Sequence, residues 1–466
     1  MSMTAPIVLW LRDDLRTGDH PALHAAVSSG KPVLPLFILD DAAAGAWRAG
    51  GAARWWLHHA LEALEMPVLR REGDSATILD EVIEATGADT VFWTRRYEPF
   101  AIGQDRKIKA DLKARGIRVA SFPGRTLFEP FGIRQKNGGP YKVFTPYFRQ
   151  WQSGLGHLVC LPRPDATRWS DHGLDNDDLR LLPTAPDWAG GLRESWRVSE
   201  EAARERLDAF VEEALDSYAK DRDFPAIAGV SRLSPFLHAG LISPRQIVAR
   251  LQMVEDERTF AYLRQIAWRD FAAHCLFHNP AMPETSLRAG FEAFPWRDDA
   301  ERLRAWQEGR TGFPVVDAGM RELWQTGYMH NRVRMLTGSF LTKNLMIHWR
   351  SGLEWFHDTL VDADLANNSM GWQWVAGSGI DAAPYFRIFN PTVQGERFDP
   401  NGDYVRRFVP ELARLPAEWI HKPADAPADV LDRADVRLGA SYPSPIVDHA
   451  TARNRALEAF RNMKAS

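Results

Sequence analysis

The sequence predicts two kinds of domain in succession: a doubly wound α/β domain with a parallel sheet, and then a larger all-α domain. Three observations predict this order. In the first 130 residues, short apolar runs alternate with stretches of helical periodicity, which is typical of βαβ units. From residue 199 onward, helical periodicity dominates. The length of 466 residues is also too great for one ordinary domain.

The predicted α/β domain covers residues 1–130 and alternates five strands with four helices. The strands are expected at 6–11, 32–39, 67–70, 89–93 and 117–121. The helices are expected at 20–29, 53–64, 74–85 and 102–116. A GxGxxG pattern does not follow the first strand, so the usual dinucleotide fingerprint is missing there.

Two further regions follow the α/β domain. Residues 131–198 are polar, non-periodic and punctuated by glycine and proline, which predicts an interdomain linker. Residues 199–466 form the predicted helical domain, with its clearest helices at 200–219, 243–254, 258–277 and 316–327.

Composition and charge exclude several classes of protein. Hydrophobic residues make up 45% and charged residues 25%, a balance that excludes wholesale disorder. The sequence has no apolar run long enough for a spanning helix, no signal peptide at its start and only two cysteines. We therefore expect a cytoplasmic protein without a membrane partner. The net charge of −4 argues against a globally basic nucleic-acid binder and leaves a local basic patch open.

The tryptophan content is unusually high, with 18 residues of this type. A single tryptophan often fills a helical core, where its ring needs a large slot and its N–H a partner. So many together also suggest an aromatic ligand or an electron-transfer role.

Three segments of the helical half are chemically dense. Residues 218–246 place Ser231, Arg232 and Ser234 before a helical run, which suits phosphate oxygens but is also an ordinary helix cap. Residues 324–352 belong to a stretch with a surplus of four positive charges, which suits a phosphate backbone or a solvated helix face. Residues 360–391 combine two carboxylates with two amides, a set that can bind a polar ring edge. Their spacing lacks the glycine and closing glutamate of a calcium loop, so we predict no metal site.

Five motifs in the chain carry a resemblance to a known family. They occupy residues 222–237, 267–274, 305–321, 328–336 and 362–391. Through them, and over nearly the whole chain, the sequence resembles the DNA photolyase and cryptochrome family. Within that family it looks like a class I cyclobutane pyrimidine dimer photolyase.

The resemblance implies that the helical domain binds one FAD non-covalently and uses it in the reduced form FADH⁻. Arg334 would pair with Asp362, and Asn368 would face flavin N5, where most plant sensory relatives have an aspartate. An amide can bond to a protonated N5 without donating another proton, which suits a stable reduced flavin. The cofactor contacts implied by motif position are Tyr218, Val230, Ser231, Arg232, Leu233, Ser234, Trp268, Arg269, Arg334, Asp362, Ala363, Asp364 and Asn368.

The resemblance also implies a DNA substrate that contains a flipped-out pyrimidine dimer. Trp268 and Trp374 would form an aromatic wedge against the dimer, and Asn331 and Met335 would contact its bases. Relatives that repair the (6-4) photoproduct carry histidines at the last two positions, so this chain points to the cyclobutane dimer. The implied catalytic residues are Trp268, Asn331, Met335, Trp374 and Gln265, and the implied DNA contacts are Arg222, Gln265, Trp268, Asn331, Arg332, Trp374 and Gln394.

Three tryptophans match the electron relay of the family. Trp372, Trp349 and Trp296 would carry an electron between the flavin and the surface, so that light can reduce an oxidised flavin again.

The chain departs from the class I pattern in three places. Gln265 stands where a glutamate is usual, and Val230 stands where the phosphate motif begins with threonine. The Asn-Glu pair of folate-type antenna sites is missing after the fourth strand, whereas Arg54 matches an arginine of deazaflavin-binding relatives. The antenna can therefore be of the deazaflavin type, of the folate type or absent.

Two alternative functions share the fold and the cofactor. A cryptochrome photoreceptor usually has a long tail of low complexity, whereas this chain ends about 75 residues after its last flavin motif at residue 391. A (6-4) photolyase is disfavoured by Asn331 and Met335. We therefore expect a monomeric deoxyribodipyrimidine photolyase that acts on DNA.

Overall fold

A computed structural model describes residues 4–165, 167–252, 258–385 and 387–465. Its single named sheet has five parallel strands in the order β3-β2-β1-β4-β5. The strands are β1 Ile7–Leu11, β2 Val33–Leu39, β3 Leu69–Glu72, β4 Thr90–Thr94 and β5 Arg118–Phe122. The predicted α/β class is confirmed, with β3 two residues later than the sequence pattern placed it.

Helices make up most of the remaining structure. In the first half they are α1 Pro21–Ser28, α2 Asp41–Ala44, α3 Gly51–Glu62, α4 Ser75–Thr86, α5 Pro99–Ala114, α6 Phe144–Ser153, α7 Gly190–Ser195, α8 Glu200–Ala209, α9 Tyr218–Asp221, α10 Ser234–Ala239 and α11 Pro244–Gln252. In the second half they are α12 Arg258–His278, α13 Ala300–Gln307, α14 Pro314–Thr326, α15 Asn331–Ser339, α16 Trp349–Thr359, α17 Leu365–Ala376, α18 Pro391–Phe398, α19 Asp403–Phe408, α20 Ala428–Ala434 and α21 His449–Ala465.

Both faces of the sheet are covered, as a parallel sheet requires. Alternate residues of β1 point to opposite faces: Leu9 belongs to the core shared with α1 and α3, and Trp10 to the core under α4 and α5. Every residue of β1, β2 and β4 is buried, which explains why these strands read as continuous apolar runs. The helices therefore lie on both sides of the sheet, and the doubly wound arrangement is confirmed.

The predicted linker, residues 131–198, has more structure than its composition indicated. It contains α6, whose Tyr147, Phe148 and Trp151 are buried, and it also contains α7. It returns along the sheet as well, since the Asp177 N–H donates to the Arg70 carbonyl oxygen at 2.9 Å. Much of the rest of this segment lies along surfaces formed by other elements, so its sequence carries little helical or strand periodicity. The division at residues 130 and 198 stays a prediction.

The two halves of the chain approach each other closely beside the sheet. Gly240 has φ +76, and a Cβ there would lie 2.1 Å from the Asp13 carbonyl oxygen, so only glycine fits without a shift. Asp270 of α12 accepts the N–H groups of Leu127 and Phe128 at 3.1 Å and the Trp151 Nε1–H at 2.9 Å. These contacts hold α12, which carries candidate site residues, against the α/β half.

The helix predicted over residues 200–219 is divided in the structure. A π-helical turn, Phe210–Ala214, follows α8, and α9 begins at Tyr218. The turn places the Phe210 ring 5.5 Å from that of Tyr218 and 4.5 Å from that of Tyr262. This aromatic contact accounts for the interruption. The helix predicted at 243–254 is described over Pro244–Gln252, and the last two residues of the prediction lie outside the described ranges.

Within those ranges, none of the helices combines the length and the apolar character that crossing a membrane requires.

Candidate functional site

Three helices carry most of the candidate residues and pack around one centre. α17 packs against both α12 and α15, and α16 lies on another side of α17. The loop before α17 holds Asp362, Ala363 and Asp364, all of them buried. The fold therefore brings together motifs that are more than 100 residues apart in the sequence.

Asp362 is fixed by two of the other candidate residues. Arg334 of α15 pairs with it at 2.9 Å, and the Ser234 hydroxyl donates to its Oδ2 at 2.5 Å. The carboxylate is thus oriented from two sides, and the pairing of Arg334 with Asp362 that the resemblance implied is confirmed.

Asp364 begins α17 and joins it to two arginines. Its Oδ1 accepts the Asn367 N–H at 2.9 Å, and its Oδ2 lies 3.3 Å from a nitrogen of both Arg269 and Arg125. Burial alone would raise the pKa of Asp364, but the two guanidinium groups outweigh burial and lower the pKa to about 2. The group is therefore a fixed anion at neutral pH.

Arg269 offers a donor that the protein does not use. Its Nη2 contacts Asp364 and the Leu237 carbonyl oxygen, both at 3.3 Å. Its Nε is buried and has no hydrogen-bond partner among the described residues. Such a donor fits a bound polar group, because an unmade buried hydrogen bond costs about 1–3 kcal/mol.

Asn368 lies one turn into α17 and is half-buried. Its Nδ2 donates to the Leu353 carbonyl oxygen of α16 at 3.1 Å. This bond fixes the orientation of the amide, and none of the described groups donates to its Oδ1. The side chain therefore presents an acceptor to whatever lies beside it.

The segment from Val230 to Ser234 points its side chains in different directions. Ser231 accepts the Tyr262 hydroxyl at 2.8 Å, beside the buried Tyr218. Arg232, with φ +51, places its guanidinium 4.5 Å from the Trp196 ring instead. The Leu233 side chain is buried, and Val230 is half-buried. The side chains of Ser231 and Arg232 therefore contact different rings, Tyr262 and Trp196.

The candidate wedge tryptophan of α12 is already stacked. The Trp268 ring lies 3.6 Å from the Phe144 ring, at an angle of 6°. Trp374 of α17 is half-buried, as is Gln265, whose amide makes a long 3.4 Å bond to the Ala261 carbonyl oxygen. One face of Trp268 is thus covered by α6, and only the other can meet a ligand.

The candidate base and phosphate contacts lie at and near the start of α15. Asn331 is exposed, and its amide is 3.9 Å from the sulfur of Met335. Arg332 pairs with Asp223 at 2.7 Å and lies 4.4 Å above the Phe398 ring. Two further candidates are half-buried, Arg222 beside Tyr218 and Gln394 on α18.

The three candidate relay tryptophans form a series of increasing exposure. Trp372 and Trp349 are buried, whereas Trp296 is half-buried. His348 bridges the last two, with its ring 5.3 Å from Trp349 and 5.0 Å from Trp296. Trp372 packs against α16 at Gly352, three residues after Trp349. The order from interior to surface fits the sequence expectation.

Three residues of the site were missed by the sequence analysis. Tyr262 follows from helical spacing, since it lies on α12 one turn before Gln265 and two turns before Arg269. Arg125 and Phe144 gave no such signal, because each reaches the site from outside the helical motifs through tertiary packing alone.

Comparisons with known proteins agree with this geometry. The family model for DNA photolyase matches residues 7–165, and that for the FAD binding domain of DNA photolyase matches residues 262–462. The deoxyribodipyrimidine photo-lyase of Agrobacterium fabrum is 47% identical, over 99% of this chain and 98% of that protein. Cryptochrome-2 of Arabidopsis thaliana is 37% identical, over 99% of this chain and 79% of that protein.

One solved structure is relevant to the expected subclass. The crystal structure of a bacterial class III photolyase from Agrobacterium tumefaciens has a TM-score of 0.95 and 47% identity, covering 99% of this chain and 98% of that one. The narrower expectation of a class I enzyme is therefore not supported. The chain belongs to the DNA photolyase and cryptochrome family, as an FAD-binding lyase of DNA repair.

Proposed function

We propose that the protein repairs cyclobutane pyrimidine dimers in DNA under blue light, and that it groups with class III rather than class I photolyases. The observation that carries this is the packing of α12, α15 and α17 around the pairs Arg334–Asp362 and Arg269–Asp364. The 47% identity to a deoxyribodipyrimidine photo-lyase and to a class III enzyme supports it.

FAD, when bound and reduced, supplies the light-driven electron that splits the dimer. The residues of the chain hold the cofactor and tune its surroundings. Asp362, paired with Arg334, and Asp364, whose pKa is lowered to about 2, would lie beside the ring system, and the free Nε of Arg269 would donate to the cofactor. Asn368 would present its Oδ1 to N5 as an acceptor, because its Nδ2 is committed to Leu353. An acceptor without a proton to give keeps the flavin in its reduced, anionic form.

We assign substrate contacts to the surface between α12, α15 and α17. The open face of Trp268 and the ring of Trp374 pack against the flipped dimer, which costs less to unstack than an intact base. Gln265 bonds to a base edge without adding charge. Asn331 and Met335 bring no acidic proton, which suits the cyclobutane dimer, whose splitting needs an electron rather than acid chemistry.

We assign the electron supply of the resting enzyme to Trp372, Trp349 and Trp296. The burial of the first two and the partial exposure of the third support a path from the interior to solvent. The covered Nε1–H of Trp349, 3.2 Å from the Ser286 hydroxyl, holds the middle ring in place.

A photoreceptor role is the second candidate, since cryptochrome-2 of Arabidopsis thaliana matches 99% of this chain. The two proposals differ in one property. A photolyase splits pyrimidine dimers back into separate bases over multiple turnovers, whereas a receptor responds to light without changing DNA.

The test uses purified protein with reduced FAD and an oligonucleotide that contains one thymine dimer. Recovery of thymine absorbance under blue light, absent in darkness, is the expected result. An Asn331→His/Met335→His double variant serves as a matched control and should lose most of this repair. Absence of recovery in light, with the flavin shown to be bound and reduced, would overturn the repair proposal and leave the receptor.

A further inference from the structure

A cavity lies beside the segment 230–232. Its volume is about 580 Å³, and it is lined by α8, residues 225–232, α14 and α19. The lining includes Val230, Ser231 and Arg232, which the family resemblance places at the cofactor, so the cavity adjoins the candidate flavin site. It is separate from the part of that site formed by Asp362, Asp364 and Asn368, because none of these is among the described residues that line it.

Two arginines in this cavity lack partners of opposite charge. Arg206 and Arg232 both line it, and neither forms an ion pair or a side-chain hydrogen bond within the described ranges. The Nε of each is buried without a partner. Both residues are half-buried, and a guanidinium group that is partly removed from water is normally paired, because desolvation of an uncompensated charge is costly.

Aromatic rings hold both guanidinium groups in place. Arg232 lies 4.5 Å from the Trp196 ring centre and 4.8 Å from that of Tyr328. Arg206 lies 5.5 Å from Trp196 and 6.0 Å from Phe236. Cation–π contacts orient the two groups, but they do not supply the hydrogen-bond acceptors that the N–H atoms need.

The two cations also repel each other. Burial, and then the nearby charge of Arg232, lower the pKa of Arg206 below its ordinary value. A bound anion between them would relieve both the repulsion and the missing hydrogen bonds.

The carboxylates that line the cavity do not play that part. Glu205 is paired with Arg197. Glu322 accepts the Tyr404 hydroxyl at 2.6 Å and the His330 N–H at 3.2 Å. Its charge interacts with that of Arg232, but the two form no ion pair among the described residues. Glu213, the third, is exposed. A further arginine of the lining, Arg407, is exposed and has no ion pair among the described residues.

We propose that this cavity binds the phosphate group of a small molecule of about nucleotide size, with Arg206 and Arg232 as its ligands. Guanidinium groups bind phosphate through paired, charge-assisted hydrogen bonds. The cavity volume lies in the range of about 300–1,000 Å³ of small-molecule sites. The inference goes beyond DNA repair, and it stands whether or not that proposal holds.

The test measures binding of AMP and of adenosine to the FAD-loaded protein by calorimetry. The expected result is that AMP binds at least tenfold more tightly than adenosine, which lacks the phosphate. Arg206→Gln should weaken AMP binding at least tenfold. The matched control is Arg204→Gln, because Arg204 is exposed on the same helix and does not line the cavity; it should bind AMP like the wild type.

Flavin content and thermal melting are recorded for every variant, so that misfolding is separated from lost binding. Equal affinity for AMP and adenosine in the wild type would overturn the proposal without any variant. So would the absence of AMP binding at millimolar concentration, or unchanged binding in Arg206→Gln. A last outcome would place AMP at the lesion site and also overturn the proposal: dimer-containing DNA displaces AMP, and Arg206→Gln leaves AMP binding unchanged.

Discussion

Gly352→Ala is expected to disturb the innermost tryptophan of the candidate relay. Gly352 lies in α16 directly under Trp372, and a Cβ there would be 2.1, 2.4 and 2.5 Å from three atoms of the indole ring. Carbon atoms normally approach to about 3.5 Å, so the ring or the helix must move by about 1 Å. The ring has little room, since the centre of the Phe356 ring is 4.9 Å away and that of the Trp306 ring is 6.0 Å away.

The expected cost follows from these contacts. Overpacking of a filled core costs about 1–3 kcal/mol, and this site should reach the upper end because the neighbouring side chains are rigid rings. The better helix propensity of alanine returns up to about 1 kcal/mol, which leaves a net loss of about 2 kcal/mol. Gly371→Ala is the matched control: Gly371 is exposed in α17 and nothing lies within 4 Å of its added Cβ, so it should gain about 0.5–1 kcal/mol.

Thermal melting of the FAD-loaded variants at one scan rate checks this prediction. Gly352→Ala should melt below the wild type and Gly371→Ala at or above it. Light-driven reduction of the flavin should also slow in Gly352→Ala alone. If Gly352→Ala melts like the wild type and reduces its flavin at the same rate, Trp372 is not held as described.

Three further changes test the relay, a buried charge and the DNA surface. Trp349→Phe should slow light-driven flavin reduction greatly and leave repair by chemically reduced enzyme nearly intact; loss of both would show that the ring only fills the core. Lys343 is buried, and burial and then Arg387 lower its pKa to about 7; because the unfolded chain keeps the proton up to about 10.5, stability should rise from pH 7 toward pH 10. Lys343→Met should have a higher melting temperature at pH 7, and its stability should no longer rise with pH. A wild-type stability that does not change between pH 7 and pH 10 would contradict the reasoning. Arg332→Ala should weaken DNA binding and reduce by about one the slope of the logarithm of the binding constant against the logarithm of the salt concentration. Arg433 is exposed on α20, so Arg433→Ala should leave that slope unchanged.

The strands and helices with a clear hydrophobic pattern could be predicted from the sequence. The buried strands β1, β2 and β4 begin and end within one residue of their apolar runs, because burial on both faces requires an unbroken run. The long helix α12 was likewise predicted to within one residue at its end. The pair Arg334–Asp362 followed from the resemblance, since both residues stand in motifs.

Contacts that depend on tertiary packing could not be predicted. Phe144 reaches Trp268 from a segment interpreted as a linker, because α6 is only 10 residues long and lies among glycines and prolines. Arg125 reaches Asp364 from the α/β half, and nothing near it in the sequence marks a site. The direction of the Arg232 side chain depends on its left-handed backbone, with φ +51. The residue types of the motif do not predict that conformation.

Lesion specificity tests the central claim most directly. One preparation with reduced flavin is given, under blue light, an excess of oligonucleotide containing either a cyclobutane thymine dimer or a (6-4) photoproduct. With Asn331 and Met335 at the start of α15 and no histidine at either position, we predict multiple turnovers on the first substrate and none on the second. Repair of the (6-4) photoproduct at a comparable rate, or turnover of neither lesion by flavin-loaded protein, would contradict the account.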